Sequence, residues 1–267
     1  MTFSIVARDP ATGDVGIAIA SKALAVGAIA PFARAKVGAI STQALPNVAY
    51  GPDALARLAA GETPESILAA LTAADAMAAH RQAGIVDAQG RSATWTGASC
   101  LEWAGGRAGP GVAAQGNILA GPEVVDALLD AYLAATGSFP QRLVAALQAG
   151  DRAGGDSRGR QSAALLVRRE KGGNAGLDDR WIDLRVDDHT DPTAELARLL
   201  GLHDKQSNPA DPENLPKIAS ALASGLVSAL RNAVNPPEPA PTGSLTAWSP
   251  PTAAPGTTSA EPGGDAG

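Results

Sequence analysis

Residues Met1 to Lys22 read MTFSIVARDPATGDVGIAIASK. Phe3 to Ala7 is an apolar run of strand length, and Val15 to Ala20 is a second. Between them Asp9-Pro10-Ala11-Thr12-Gly13 supplies turn chemistry, so a hairpin is expected whose ends, Thr2 and Ser21-Lys22, meet across the strands. Thr2 has chemical interest of its own. A small second residue favours removal of an initiator Met, and a terminal Thr carries a hydroxyl and an α-amine together. The ordinary pKa of such an amine, about 7.7–8.0, suits a base near neutral pH. A Thr hydroxyl activated by its own amine is an established nucleophile–base pair. Lys22, at the end of the second strand, is expected beside Thr2, where its charge would keep the amine unprotonated. Taken as residues alone, an ordinary N-terminus and a solvated strand-end lysine explain the same letters.

The 267 residues leave room for one domain of roughly 200 residues with an appendage. Hydrophobic residues make up 45% of the chain but aromatics only 3%, so the core must be filled by Ala, Val, Ile and Leu. A net charge of −6 argues against a nucleic-acid partner, since phosphate binding needs a basic face. The single cysteine, Cys100, excludes an intramolecular disulfide framework and fits a reducing compartment. No secretory leader pattern opens the sequence and no run of about twenty apolar residues crosses a membrane. A cytoplasmic protein without membrane partners is expected.

Further along, Phe32–Ala44 reads as strand, and Gly51-Pro52-Asp53 starts a helix that Gly61 stops. Thr63-Pro64-Glu65-Ser66 starts a second helix, expected to reach Ala79. Residues 81–97 read as a hairpin turning at Ala88-Gln89-Gly90, and Gly105–Gly111 as a glycine-rich loop. Helices are expected from Gly121 to Ala135, from Pro140 to Ala149 and from Asp191 to Leu202, with strands at Ser162–Arg168 and Trp181–Val186. The expected division is a domain over 1–203, a linker with a short helix over 204–234, and a Pro/Ala/Gly-rich tail over 235–267, disordered by composition.

Several polar groups stand at strand–loop transitions. The Asn117 amide, in Gln115-Gly116-Asn117, is a candidate oxyanion donor; capping of the turn before Gly121 is its structural alternative. Thr42, Gln43 and Asn47 lie at another transition and are candidates for substrate contact. So are Asp156, Arg158 and Gln161 of the GGDSRGRQ loop, where Asp156 and Arg158 either pair with each other or bind a charged substrate group, Arg158 suiting a carboxylate. That loop lacks phosphate-loop spacing. Asp187-Asp188-His189 is read as a salt-bridged corner, because three adjacent ligands converge poorly on one metal ion. No metal or cofactor is expected.

TFSIVARDPATGDVGIAIASKALAVG, QGNILAG, GGDSRGRQSAALLV and DLRVDDHTDP, in chain order between Thr2 and about Leu202, resemble the family catalogued as domain of unknown function 1028. The resemblance implies an α+β, four-layer αββα sandwich of N-terminal-nucleophile (Ntn) hydrolase type followed by a low-complexity tail. It also implies a hydrolase of amide or related acyl bonds, with Thr2 as nucleophile, Lys22 as cation and Asn117 as oxyanion donor. The partner expected is a small-molecule or peptide-like substrate, in a homodimer or higher homo-oligomer. A catalytically silent scaffold of the same fold, acting in binding or assembly, is the alternative.

Overall fold

The opening hairpin forms and lies at the centre of a sheet. β1 (Thr2–Arg8) pairs antiparallel with β2 (Val15–Ser21), Thr2 opposite Ser21 and Arg8 opposite Val15. Asp9 closes the turn by accepting from the Ala11 N–H at 3.2 Å and the Thr12 hydroxyl at 3.1 Å. Gly13 takes φ +78° there, a conformation that costs a residue without Cβ little. The computed structural model describes residues 2–207 and 224–226. By contacts the chain divides into two units, 1–211 and 212–267, and the described part of the second, 224–226, is helical. The expected tail, and all of the expected linker beyond Ser207 apart from those three residues, lie outside the described residues.

Two antiparallel sheets carry the first unit, an α+β architecture. In the other sheet, β3 (Pro31–Arg34), β4 (Gly38–Ala44), β5 (Arg81–Asp87) and β6 (Ser92–Thr96) are arranged in chain order. The six-stranded sheet adds β7 (Gly105–Gly109), β8 (Val112–Asn117), β9 (Ser162–Arg168) and β10 (Arg180–Val186) to the hairpin, in the order β10-β9-β2-β1-β8-β7. Side chains alternate along each strand, so each sheet has two distinct faces. Phe3, Ile5 and Ala7 of β1 pack against α3 (Glu123–Ala134) and α4 (Phe139–Arg152), and the same cluster takes in Leu196 and Leu200 of α5 (Pro192–Ser207). Val6, Ile17 and Ile19 point the other way and pack with Ala39 and Val86 of the four-stranded sheet. The far face of that sheet, Ile40, Ala83 and Ile85, is covered by Tyr50, Ala54 and Leu58 of α1 (Tyr50–Ala59) and by Ile67, Leu68 and Leu71 of α2 (Pro64–Ala73). The α1 residues recur every four positions, the spacing of one helix face.

Several boundaries differ from the sequence expectation. The expected strand Phe32–Ala44 is two, β3 and β4, which a turn at residues 35–37 folds into an antiparallel pair. Gly105–Gly109 is a strand, not a loop: it pairs with β8 despite low strand propensity. Gly105 is a spatial necessity there, since a Cβ on it would lie 2.5 Å from the Trp103 ring. α2 stops at Ala73, not Ala79, because Asp75 gathers the chain beyond it. Its carboxylate accepts from the Arg81 Nε–H at 2.9 Å, the Tyr50 hydroxyl at 3.0 Å, the Asn47 amide at 3.1 Å and the Met77 N–H at 2.8 Å. α5 runs to Ser207, five residues past Leu202.

Two stability outcomes follow. The hydrogen bond from Arg81, then those from Met77 and Asn47, hold the Asp75 carboxyl well below the usual carboxylate range. A depressed native pKa stabilises fully above the unfolded value of about 3.9 and is lost as pH falls below it. Asp75→Ala is therefore expected to cost about 1–2 kcal/mol at pH 7, with a smaller gap from the wild type at pH 3, read by urea unfolding. The Tyr132 hydroxyl is buried without a hydrogen-bond partner, and burial pushes its pKa up to about 12. Tyr132→Phe is expected to leave the thermal midpoint unchanged or raise it by a few degrees, since no hydrogen bond is lost.

Candidate active site

The space between the sheets changes character along β1. Toward Arg8 it is apolar, with Val6, Val15, Ile17 and Ile19. Toward Thr2 it is lined by buried hydroxyls and amides: Thr2, Ser4, Ser21, Ser41, Gln43, Gln82, Gln115 and Asn117. None of these side chains carries a charge. Buried polar groups must find partners, and these mostly find one another. The Gln43 amide donates to Gln82 Oε1 at 2.8 Å and to the Thr2 carbonyl at 3.2 Å, while its oxygen accepts from Ser4 Oγ at 2.7 Å. Gln115 Nε2 donates to Ser4 Oγ at 2.6 Å. Gln82 Oε1 also accepts from Asn117 Nδ2 at 2.9 Å, and Gln82 Nε2 donates to the Gly116 carbonyl at 2.7 Å. Gly84 makes the approach of Gln115 possible, as a Cβ there would fall 1.9 Å from Gln115 Oε1.

Thr2 heads this network. It is 7% exposed, and its Oγ1 lies 3.1 Å from Ser21 Oγ. Its carbonyl accepts from Gln43 and, at a longer 3.4 Å, from Asn117 Nδ2. The ladders set Thr2 directly opposite Ser21 on one side and Asn117 on the other, so all three project from one face of the sheet.

Beyond this end of the strands lies a cavity of about 190 Å³. Asn117 and Ile118 leave β8 along one wall, and Ala44 and Leu45 leave β4 along another; His80, Ser99, Cys100 and Leu101 complete it. Ala44 and Ile118 both take left-handed backbone, φ +70° and +52°. For a β-branched residue that conformation is strained and persists only where the surroundings enforce it. Here the Ile118 N–H donates to the Leu101 carbonyl at 2.9 Å, and the Ile118 carbonyl accepts from Ser157 Oγ at 3.0 Å. The Cys100 thiol donates to the Arg81 carbonyl at 3.3 Å, and burial pushes its pKa up, which makes it a poor nucleophile.

The candidates from sequence separate into two groups. Thr2, Gln43 and Asn117 come together. Lys22 does not join them: side-chain alternation turns it from the face that Thr2 shares with Ser21, and its Nζ donates to the Arg160 carbonyl at 3.1 Å. Thr42 points away from Gln43 and donates to the Asn47 carbonyl at 3.2 Å, and the Asn47 amide is committed to Asp75. Asp156 anchors its loop to the end of β2, accepting from the Lys22 N–H at 2.7 Å and the Arg158 N–H at 2.9 Å. Arg158 adds a 3.4 Å ion pair to that carboxylate. Gln161 joins the Ser21 carbonyl, at 3.2 Å, to Asp188, at 3.1 Å. His189 Nδ1 accepts the Asp191 N–H at 2.9 Å, a turn leading into α5. Asp151, Asp156, Ser157 and Arg160 border a second recess of about 600 Å³ on the Lys22 side.

Ser21, Gln82 and Gln115 are the residues that sequence reasoning passed over. Their signal was present: each is a polar residue in a strand otherwise apolar at alternate positions, as are Ser4 and Gln43.

Comparisons with known proteins agree with this architecture. Among curated proteins no relative matches. A solved crystal structure of a protein from Silicibacter pomeroyi, itself assigned to the DUF1028 family, is 32% identical with a TM-score of 0.70, covering 79% of this chain and 88% of that one. Residues 2–196 match the family of unknown function DUF1028. The chain belongs to that family.

Proposed function

We propose that the chain is an Ntn-type hydrolase that cleaves an amide or related acyl bond with Thr2, exposed by removal of residue 1, as its nucleophile. The observation that carries this reading is the setting of Thr2: the first residue of a central strand, its hydroxyl 3.1 Å from Ser21 Oγ, its carbonyl held by Gln43 and Asn117, beside a strained cavity. Two facing sheets with helices against their outer faces support reading the fold as the four-layer αββα arrangement of such hydrolases.

In the reaction the neutral α-amine takes the proton from Thr2 Oγ1 as that oxygen attacks the substrate carbonyl. Negative charge gathers on the carbonyl oxygen, where Asn117 Nδ2 can exchange its long contact with the Thr2 carbonyl for a bond to the oxyanion. The ammonium returns its proton to the leaving amine, and an acyl ester remains on Thr2. Water, deprotonated by the same amine, then releases the acid. Among the described residues the cavity lining contains no carboxylate, lysine or arginine, which suits a neutral acyl group.

The placement of Lys22 favours the second reading, a catalytically silent scaffold, since among the described residues no lysine is bonded to Thr2. One experiment separates the two. Untagged protein is treated with a neutral β-lactone and its intact mass measured. The hydrolase reading expects loss of residue 1 and a single adduct that maps to Thr2 and is absent in Thr2→Ala. It expects Asn117→Ala to label about 10²-fold more slowly. Natively expressed protein that keeps residue 1 and takes no adduct leaves the scaffold.

A further inference from the structure

The face of β1 that carries Thr2 at one end carries Arg8 at the other, six residues and roughly 20 Å away. There the turns of four hairpins converge around a recess of about 360 Å³. Arg8, Thr12, Gly13 and Asp14 come from the β1–β2 turn, Lys36 from β3–β4, Ala88 from β5–β6, and Arg169 and Glu170 from β9–β10. Three cations therefore face two carboxylates, and the carboxylates are already taken. Arg169 holds Asp14 through bonds of 2.6 to 3.1 Å, its guanidinium also stacked 3.4 Å over the Trp181 ring, and Lys36 pairs with Glu170 at 2.6 Å. Arg8 is left over. Its Nε is buried without a hydrogen-bond partner, and among the described residues no ion pair engages its guanidinium.

An unmatched guanidinium is costly at a half-buried position unless something accepts its hydrogen bonds. Its planar fork of donors fits two oxygens of one carboxylate or phosphate. The pairs Arg169–Asp14 and Lys36–Glu170 are each neutral overall, so the excess charge of the recess is that of Arg8. On a chain of net charge −6 such a local excess stands out against the surface field. We propose that this recess binds a small oxyanion, a carboxylate or phosphate group, through the free fork of Arg8. The site is independent of the hydrolase reading.

The test is titration of the full-length protein with inorganic phosphate and, separately, succinate, followed by amide chemical shifts at ionic strength fixed with sodium chloride. Saturable shifts confined to residues 8–14, 36, 88 and 169–170 are expected, weakened at least tenfold in Arg8→Gln. Tighter phosphate binding identifies a phosphoryl ligand, and tighter succinate binding a carboxylate. The proposal is overturned if neither anion saturates the wild type, if the shifts map elsewhere, or if Arg8→Gln binds as well as wild type. Should Arg8→Gln fail to fold, the map of shifts on the wild type decides alone.

Discussion

The contact on which the first unit depends is an amide-to-amide hydrogen bond between strands of one sheet, Gln43 to Gln82 at 2.8 Å, through which both reach the other sheet. Gln43 grips the Thr2 carbonyl of β1, and Gln82 grips the Gly116 carbonyl of β8. Apolar contact between sheets is non-directional and tolerates sliding. Hydrogen bonds to particular carbonyls do not. One misplaced strand would leave several buried amides unpaired at once, each costing about 1–3 kcal/mol. The network thus adds little net stability and much register.

The same division sorts chemistry from scaffolding. Acidic side chains are concentrated at loops, turns and helix ends, where Asp9, Asp75, Asp151 and Asp156 bind backbone N–H groups, arginines or hydroxyls and fix the chain's bends. The polar end of the inter-sheet space uses groups that cannot ionise. Burying a carboxylate or ammonium there would need an exact partner to offset its lost hydration, whereas a primary amide can donate and accept in several directions.

Much of this was legible in the sequence. Alternating apolar runs and their turns located the hairpin 2–21 and most later strands, and Thr63 and Gly121 marked helix starts. Thr2 and Asn117, both named from the sequence, lie opposite each other on neighbouring strands. Lys22 went wrong by one step of a two-residue period: a hairpin read without its register says which ends meet, not which face each side chain takes. Asp156 and Arg158 left two readings open in the sequence, pairing with each other or contact with a substrate; the structure shows the pair, and the Asp156 bond to the Lys22 N–H depends on the folded loop. β7 was hidden in part because Gly105 answers to the bulk of Trp103, a tertiary constraint that no propensity scale contains.

The place of β1 also has a consequence in time. It is made before either of its partners, and β2 can close on it at once, but Asn117, its neighbour on the other side, lies 115 residues downstream. At translation rates of about 5–20 residues per second, roughly ten seconds pass before β8 exists to enclose it. Throughout that interval the strand end bearing Thr2 lacks one flank; afterwards it is walled on both sides. The β1–β8 ladder is therefore a late, non-local contact, set only after the local β1–β2 hairpin has formed.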